Sequence, residues 1–232
     1  KPGAVAVFNS NDIMPTNADG TMRFRQNNDL FYLTGVDQEE TILVLFPDYP
    51  DKKFREVLFL RETSEVIATW EGHKLTKDEA RALSGIETVL WTSEFPKLLN
   101  TMLTMGGAEL VYLNTNEHYR AEVAVETRDS RFIKWCKEKY PLHTYERIAP
   151  IMSKLRAVKS KEEIDQLQVA CDITNSAFRR VLKFVKPGVK EFEIEAEFIH
   201  EFLRRGSRGF AYEPIIASGA NSCVLHYIEN DK

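Results

Sequence analysis

The stretch densest in chemistry-bearing side chains is YEPIIASGANSCVLHYIEN, residues 212–230. Within it, Ser218-Gly219-x-Asn221-Ser222 reads as a tight turn between two short strands, expected at residues 215–217 and 224–227. His226 falls in the second of these. An imidazole near its own pKa can move a proton or donate to a developing charge, so His226 is a candidate catalytic residue. Taken alone, a strand histidine is more often a hydrogen-bonded core residue, and both readings stay open here. Cys223-x-x-His226 and His226-x-x-Glu229 have metal-ligand residue types. Residues three apart on a strand face opposite ways, so no local metal site is expected.

Elsewhere the familiar signatures are missing. The chain has no G-x-G-x-x-G and no G-x-x-x-x-G-K-[ST], so neither a dinucleotide fingerprint nor a phosphate loop is written in it. Residues 219–223 lack the spacing of a nucleophile elbow. His118, His143 and His200 sit in helical or polar contexts that surface or satisfied positions explain. Trp70 is flanked by Thr69, Glu71, Gly72 and His73, which read as an exposed turn where a large apolar ring has little structural reason to be. Packing between a hairpin and the next helix is the competing explanation. Cys136, Cys171 and Cys223 form no C-x-x-C pair, and reduced, buried thiols fit them best.

Charge and hydropathy narrow the class. Lys plus Arg number 31 and Asp plus Glu 35, a net charge of -4. That balance lacks the basic footprint of a nucleic-acid binder. Arg179, Arg180, Lys183 and Lys186 cluster on the expected solvent face of a helix. No apolar run approaches the ~18 residues of a membrane span, and no basic-then-apolar leader is visible, so a cytoplasmic protein without membrane contacts is expected.

The elements that position these residues follow from periodicity. Residues 3–8, 30–33, 41–46, 54–60, 88–91 and 110–113 are strand-like, and the turn residues 47–53 suggest a hairpin. Residues 94–105 carry Phe95, Leu98, Leu99 and Met102 at helical spacing and end at Gly106-Gly107; residues 122–140 read as a further helix closed by Pro141. This is an α/β domain, a mixed sheet with flanking helices. The sequence changes character near Tyr145. Ser160-x-x-Glu163 is a capping box ahead of a helical stripe through Ile164, Leu167, Cys171, Thr174, Phe178, Val181, Leu182 and Val185, stopped by Pro187-Gly188. A second helix, residues 191–205, is expected to bury Phe192, Ile199, Phe202 and Leu203. Two helices and two short strands cannot cover one another's apolar faces, so this domain reads as incomplete.

Four blocks carry a family resemblance. IIASGAN (residues 215–221) with LHYIEN (residues 225–230) resembles the start of the pita-bread catalytic domain of Xaa-Pro aminopeptidases, in the creatinase/prolidase/methionine-aminopeptidase superfamily. RQNNDLFYLTG (residues 25–35), ATWEG (residues 68–72) and LRAVKSKEEI (residues 155–164) resemble their N-terminal domain and linker. The resemblance implies a creatinase-like N-terminal domain at residues 1–150 and the first part of a pita-bread domain at residues 151–232. It implies release of the N-terminal residue from peptides with proline second, by two Mn²⁺ ions bridging a hydroxide. It further implies a cytoplasmic homo-oligomer, dimer or tetramer.

The family's metal ligands are two Asp, a His and two Glu, expected beyond Lys232. No metal ligand is therefore assigned in this chain, and the chain alone is expected to be an inactive N-terminal part. The resemblance carries over His226 as a pocket histidine that hydrogen-bonds substrate or tetrahedral intermediate. Tyr212 is carried over as a tyrosine touching the ligand shell, with a core aromatic as the equal alternative, and Trp70 as an aromatic closing over a substrate site, in oligomers a neighbour's. Asp29 is a substrate-side match with turn or capping duty as the alternative. A prolidase acting on dipeptides, or a non-catalytic pita-bread module that binds peptides, shares these blocks.

Overall fold

The computed structural model describes residues 1–232 apart from 116, 118, 119 and 121–123; His118, and Glu122 at the expected start of a helix, lie outside the described residues. The chain forms two compact units, Lys1–Ala157 and Val158–Lys232.

The first unit is built on six strands: β1 (Ala4–Asn9), β2 (Ile42–Leu45), β3 (Glu56–Leu60), β4 (Thr88–Trp91), β5 (Leu110–Leu113) and β6 (Thr144–Arg147). Their order is β4-β3-β2-β1-β5-β6. The β1–β2 and β2–β3 pairs are antiparallel, with Val7 opposite Val44 and Val44 opposite Val57. The β3–β4, β1–β5 and β5–β6 pairs are parallel.

Because side chains alternate along a strand, each strand feeds two cores. Val5, Val7, Ile42, Val44, Val57, Phe59 and Val111 face α4 (Phe95–Thr104) and α5 (Arg128–Lys139), meeting Phe95, Leu99, Met102 and Cys136. Phe8, Leu43, Leu58, Leu60 and Leu110 face the other way, onto Leu30, Ala80 and Met152 of α1 (Asn28–Thr34), α3 (Lys77–Ser84) and α6 (Ala149–Ala157). A sheet covered on both faces needs apolar residues at nearly every position, which β1, β2, β3 and β5 have. Each fully buried Leu or Phe here contributes about 1.5–3 kcal/mol of transfer free energy. The unit runs on to Ala157 because α6 packs Met152, 4% exposed, into that second core.

One expected strand is a helix. Residues 30–33 lie in α1, because Asn27 Oδ1 caps the amides of Asp29 and Leu30 at 3.0 and 3.2 Å. Gly35 ends the helix in the left-handed region, φ 69°. Leu30 and Thr34, one turn apart, supply the buried face. The helix expected from residue 122 begins at Arg128, where the Thr127 side chain accepts from the Ser130 amide. Trp70 sits on a short helix, α2 (Glu65–Glu71), rather than in a turn.

The second unit holds α7 (Lys161–Phe184), opened by the Ser160–Glu163 capping box, and α8 (Glu191–Arg204). They pack through Ala177 and Val181 against Phe198 and Phe202, with Phe178 edge-on to Phe198 at 5.0 Å between centroids. An Arg180–Glu197 ion pair links the two helices. The expected burial on α8 is corrected: Phe202 is buried, whereas Phe192, Ile199 and Leu203 are exposed. Phe198 and Phe202 share the face turned to α7, and the other three lie on a different stripe. On α7, Ile164, Leu167, Phe178 and Leu182 are likewise exposed, as is Val185 just after it.

The two strands expected at residues 215–217 and 224–227 do not form. Residues 213–218 are irregular, Gly219–Cys223 is a 3₁₀ turn, and residues 225–226 form a turn. Side chains of α8 and the loop itself take up backbone donors that a neighbouring strand would have served. Of the thiols, Cys136 is buried while Cys171 and Cys223 are exposed. No helix among the described residues is long and apolar enough to cross a membrane.

Candidate functional site

His226 lies on an irregular loop, residues 212–232, that is moored to α8 by two carboxylates one helical turn apart. Glu191 is 1% exposed. Its Oε1 accepts from the Ser218 amide at 2.6 Å, the Ser218 hydroxyl at 2.8 Å and Asn221 Nδ2 at 3.3 Å. Its Oε2 accepts from the Tyr227 hydroxyl at 2.6 Å and the Lys232 amide at 3.1 Å. The Glu191 amide itself donates to the Lys232 carbonyl at 2.6 Å. Burial works against the carboxylate's charge, but the bonds from Tyr227, Lys232 and Ser218 outweigh it and hold the group down at about 2. The same burial and the hydrogen bond to Glu191 push the Tyr227 phenol up to about 12.

Glu195 is the second mooring. It accepts from Asn230 Nδ2 at 2.9 Å, while Asn230 Oδ1 accepts from the Ile216 amide at 3.0 Å. Asn230 adopts φ 47°, a left-handed conformation that asparagine tolerates better than most residues. The outcome is a loop whose inner side chains, Tyr227 and Asn230, are buried, and whose neighbours His226 and Tyr212 are exposed, Tyr212 at 81%. An exposed imidazole on a tethered backbone can donate to a bound molecule.

The other two sequence candidates lie in the first unit. Trp70 is 84% exposed, with Val66 one turn before it 69% exposed. Its helix is clamped to the end of β3: Arg61 donates to both Glu71 oxygens, at 2.7 and 2.9 Å. Arg61 and Lys74 also meet on Glu39. Asp29 is used internally. Its Oδ1 accepts from Arg156 of α6 at 2.7 Å and its Oδ2 from Asn114 Nδ2, just after β5, at 3.0 Å. Those bonds tie α1, β5 and α6 together.

Two features went unseen in the sequence. Glu191 looks like any first-turn acid, and its partners lie 27 to 41 residues away in the chain; no local pattern announces it. Asp129, 4% exposed, accepts from Asn9 Nδ2 at 3.0 Å. It borders a cleft of about 380 Å³ lined also by Ser10, Asp12, Arg23, Arg25 and Arg128. Burial pushes the Asp129 carboxyl up to about 6, against the opposing pull of Asn9 and Arg128. Among the described residues no group of three or more His, Cys, Asp or Glu can hold a metal ion.

Residues 165–232 match the model of metallopeptidase family M24. Residues 1–112 match the aminopeptidase P N-terminal domain. Among relatives, the Xaa-Pro aminopeptidase of Escherichia coli strain K12 is 33% identical over 232 residues, all of this chain and 52% of the relative. Human Xaa-Pro aminopeptidase 3 is 28% identical, over 97% of this chain and 42% of the relative. The chain thus spans about half the length of the curated relatives it matches. Of solved structures, E. coli aminopeptidase P in its low-pH form superposes with TM-score 0.84 at 31% identity, covering 100% of this chain and 52% of that one. The same enzyme with the inhibitor Pro-Leu gives TM-score 0.80 at 31% identity, with the same coverage.

Proposed function

We propose that this chain is the N-terminal part of a manganese-dependent Xaa-Pro aminopeptidase, releasing the N-terminal residue from peptides with proline in second position. The observation that supports this most directly is similarity to Xaa-Pro aminopeptidases along all 232 residues, through the loop that bears His226. The E. coli relative solved with Pro-Leu adds a proline-containing peptide as a ligand of that protein. In this reading His226 donates a hydrogen bond to the charge that develops on the scissile carbonyl oxygen. Tyr212 is assigned to the substrate side, and Trp70 offers its indole face to an apolar residue or proline ring. Asp29, called substrate-side with turn or capping duty as its alternative, is assigned instead to holding α1, β5 and α6 through Asn114 and Arg156.

Manganese enters only through the resemblance. Among the described residues no group of three or more His, Cys, Asp or Glu fits a metal centre. Cytoplasmic location and homo-oligomeric assembly belong to the same proposal. The test is hydrolysis by the complete enzyme of three substrates: a longer Xaa-Pro peptide, an Xaa-Pro dipeptide, and a peptide with alanine second. Preference for the first supports the reading. Preference for the dipeptide makes the protein a prolidase, and binding without hydrolysis of any makes it a peptide-binding module.

A further inference from the structure

We propose that Glu191 is a positioning residue, whose carboxylate closes the loop around His226 and so sets the direction of the imidazole. The proposal rests on the role given to His226 above. Its basis is the geometry of one side chain. Asn221 and Tyr227 flank the arc of residues 222–226, and both end on the same carboxylate, at 3.3 and 2.6 Å. Ser218 and Lys232 fasten the arc further out on either side. Tyr227, 7% exposed, turns inward to Glu191, while His226, its immediate neighbour, faces solvent. Fixing one fixes the backbone that carries the other.

The support under Glu191 is stiff. It begins α8, whose Phe198 and Phe202 are packed on α7. Glu195, one turn on, holds Asn230 and through it Ile216. The loop has no strand ladder of its own, so these side-chain bonds are what order it. Five donor contacts converge on the two oxygens of Glu191, and two of them come from backbone amides that cannot reverse to accept. An amide in place of the carboxylate turns an NH₂ toward donors whichever way it flips. Glu191→Gln therefore loosens the arc while preserving side-chain size.

The experiment is a double-mutant cycle in the complete enzyme with a longer Xaa-Pro peptide. His226→Ala is expected to lower kcat by about 100-fold, as for loss of one charge-stabilising donor. Glu191→Gln is expected to lower kcat about 10-fold with KM within about 2-fold, and to cost less than about 2-fold more in the His226→Ala background. Equal losses in both backgrounds, or no loss in either, overturn the proposal. Should Glu191→Gln fail to fold by circular dichroism, Tyr227→Phe takes its place. It removes one donor and keeps the ring, and the same non-additivity is required of it. Wild-type kcat in His226→Ala sinks the reading of His226 instead. Glu191 is then judged by amide hydrogen exchange at Ser218 and Lys232: faster exchange in Glu191→Gln supports the mooring, and unchanged exchange overturns it.

Discussion

The Tyr227 hydroxyl lies 2.6 Å from Glu191 Oε2, joining residues 36 apart in the chain, one at the start of α8 and one beside His226. The bond is charge-assisted and buried, and it orders a segment with no regular secondary structure of its own. That the carboxyl is held at about 2 gives it a pH signature. A carboxylate with a depressed folded-state pKa stabilises the fold above its unfolded pKa, and the stabilisation is lost as pH falls toward the folded value. The Ser218 and Lys232 amide resonances should hold steady from neutral pH down through the ordinary carboxylate range, then shift as pH nears 2. A titration of these amides centred between pH 4 and 5 would contradict the mooring.

Asp129 should behave in the opposite sense. Its carboxyl rises from 3.8 to about 6 on folding, so the folded state binds the extra proton and stability falls as pH rises between those values. Asp129→Asn keeps an oxygen for Asn9 and removes the buried charge. It should stabilise the first unit at pH 7 by about 1–3 kcal/mol, at about 1.4 kcal/mol per pKa unit, and change little at pH 4. Thermal melts at the two pH values check this; equal effects at both would show that the charge is compensated.

Trp70 is 84% exposed, which separates its two readings cleanly. Trp70→Ala in the complete enzyme should raise KM for longer peptides and change stability by less than about 0.5 kcal/mol, as for a surface substitution. Paired kinetics and melting curves decide the matter. A buried tryptophan would instead cost about 3–5 kcal/mol.

Metal loading tests the assignment of ligands. The 232-residue chain, loaded with Mn²⁺ and dialysed, should retain well under one ion per chain by elemental analysis, since no described cluster can hold it. One tightly held ion per chain would reveal a site built from other residues.

The amino-acid sequence alone determined features whose causes are local. The Ser160–Glu163 capping box opens α7, Gly106 follows α4, and continuous apolar runs mark β1, β2, β3 and β5. Local geometry and side-chain period suffice for these. The blocks IIASGAN and LHYIEN were legible for the same reason: the residues stand in order, whatever shape they take. Tertiary structure decided the rest. Residues 30–33 are helical because the Asn27 cap and burial of Leu30 and Thr34 prevail over strand-like composition. The polar strand β6 exists because β5 offers it an edge, with Leu110 paired to Thr144. The apolar run at residues 215–217 is loop, with the Ile216 amide taken by Asn230 and the next-but-one amide, Ser218, by Glu191, and the run at 224–227 opens with the Val224 amide closing a 3₁₀ turn onto the Asn221 carbonyl. A backbone group must find a partner, but the chain does not record which distant side chain will reach it. The placement of Tyr227 inward and His226 outward was decided by a carboxylate brought close only when α8 and the loop came together.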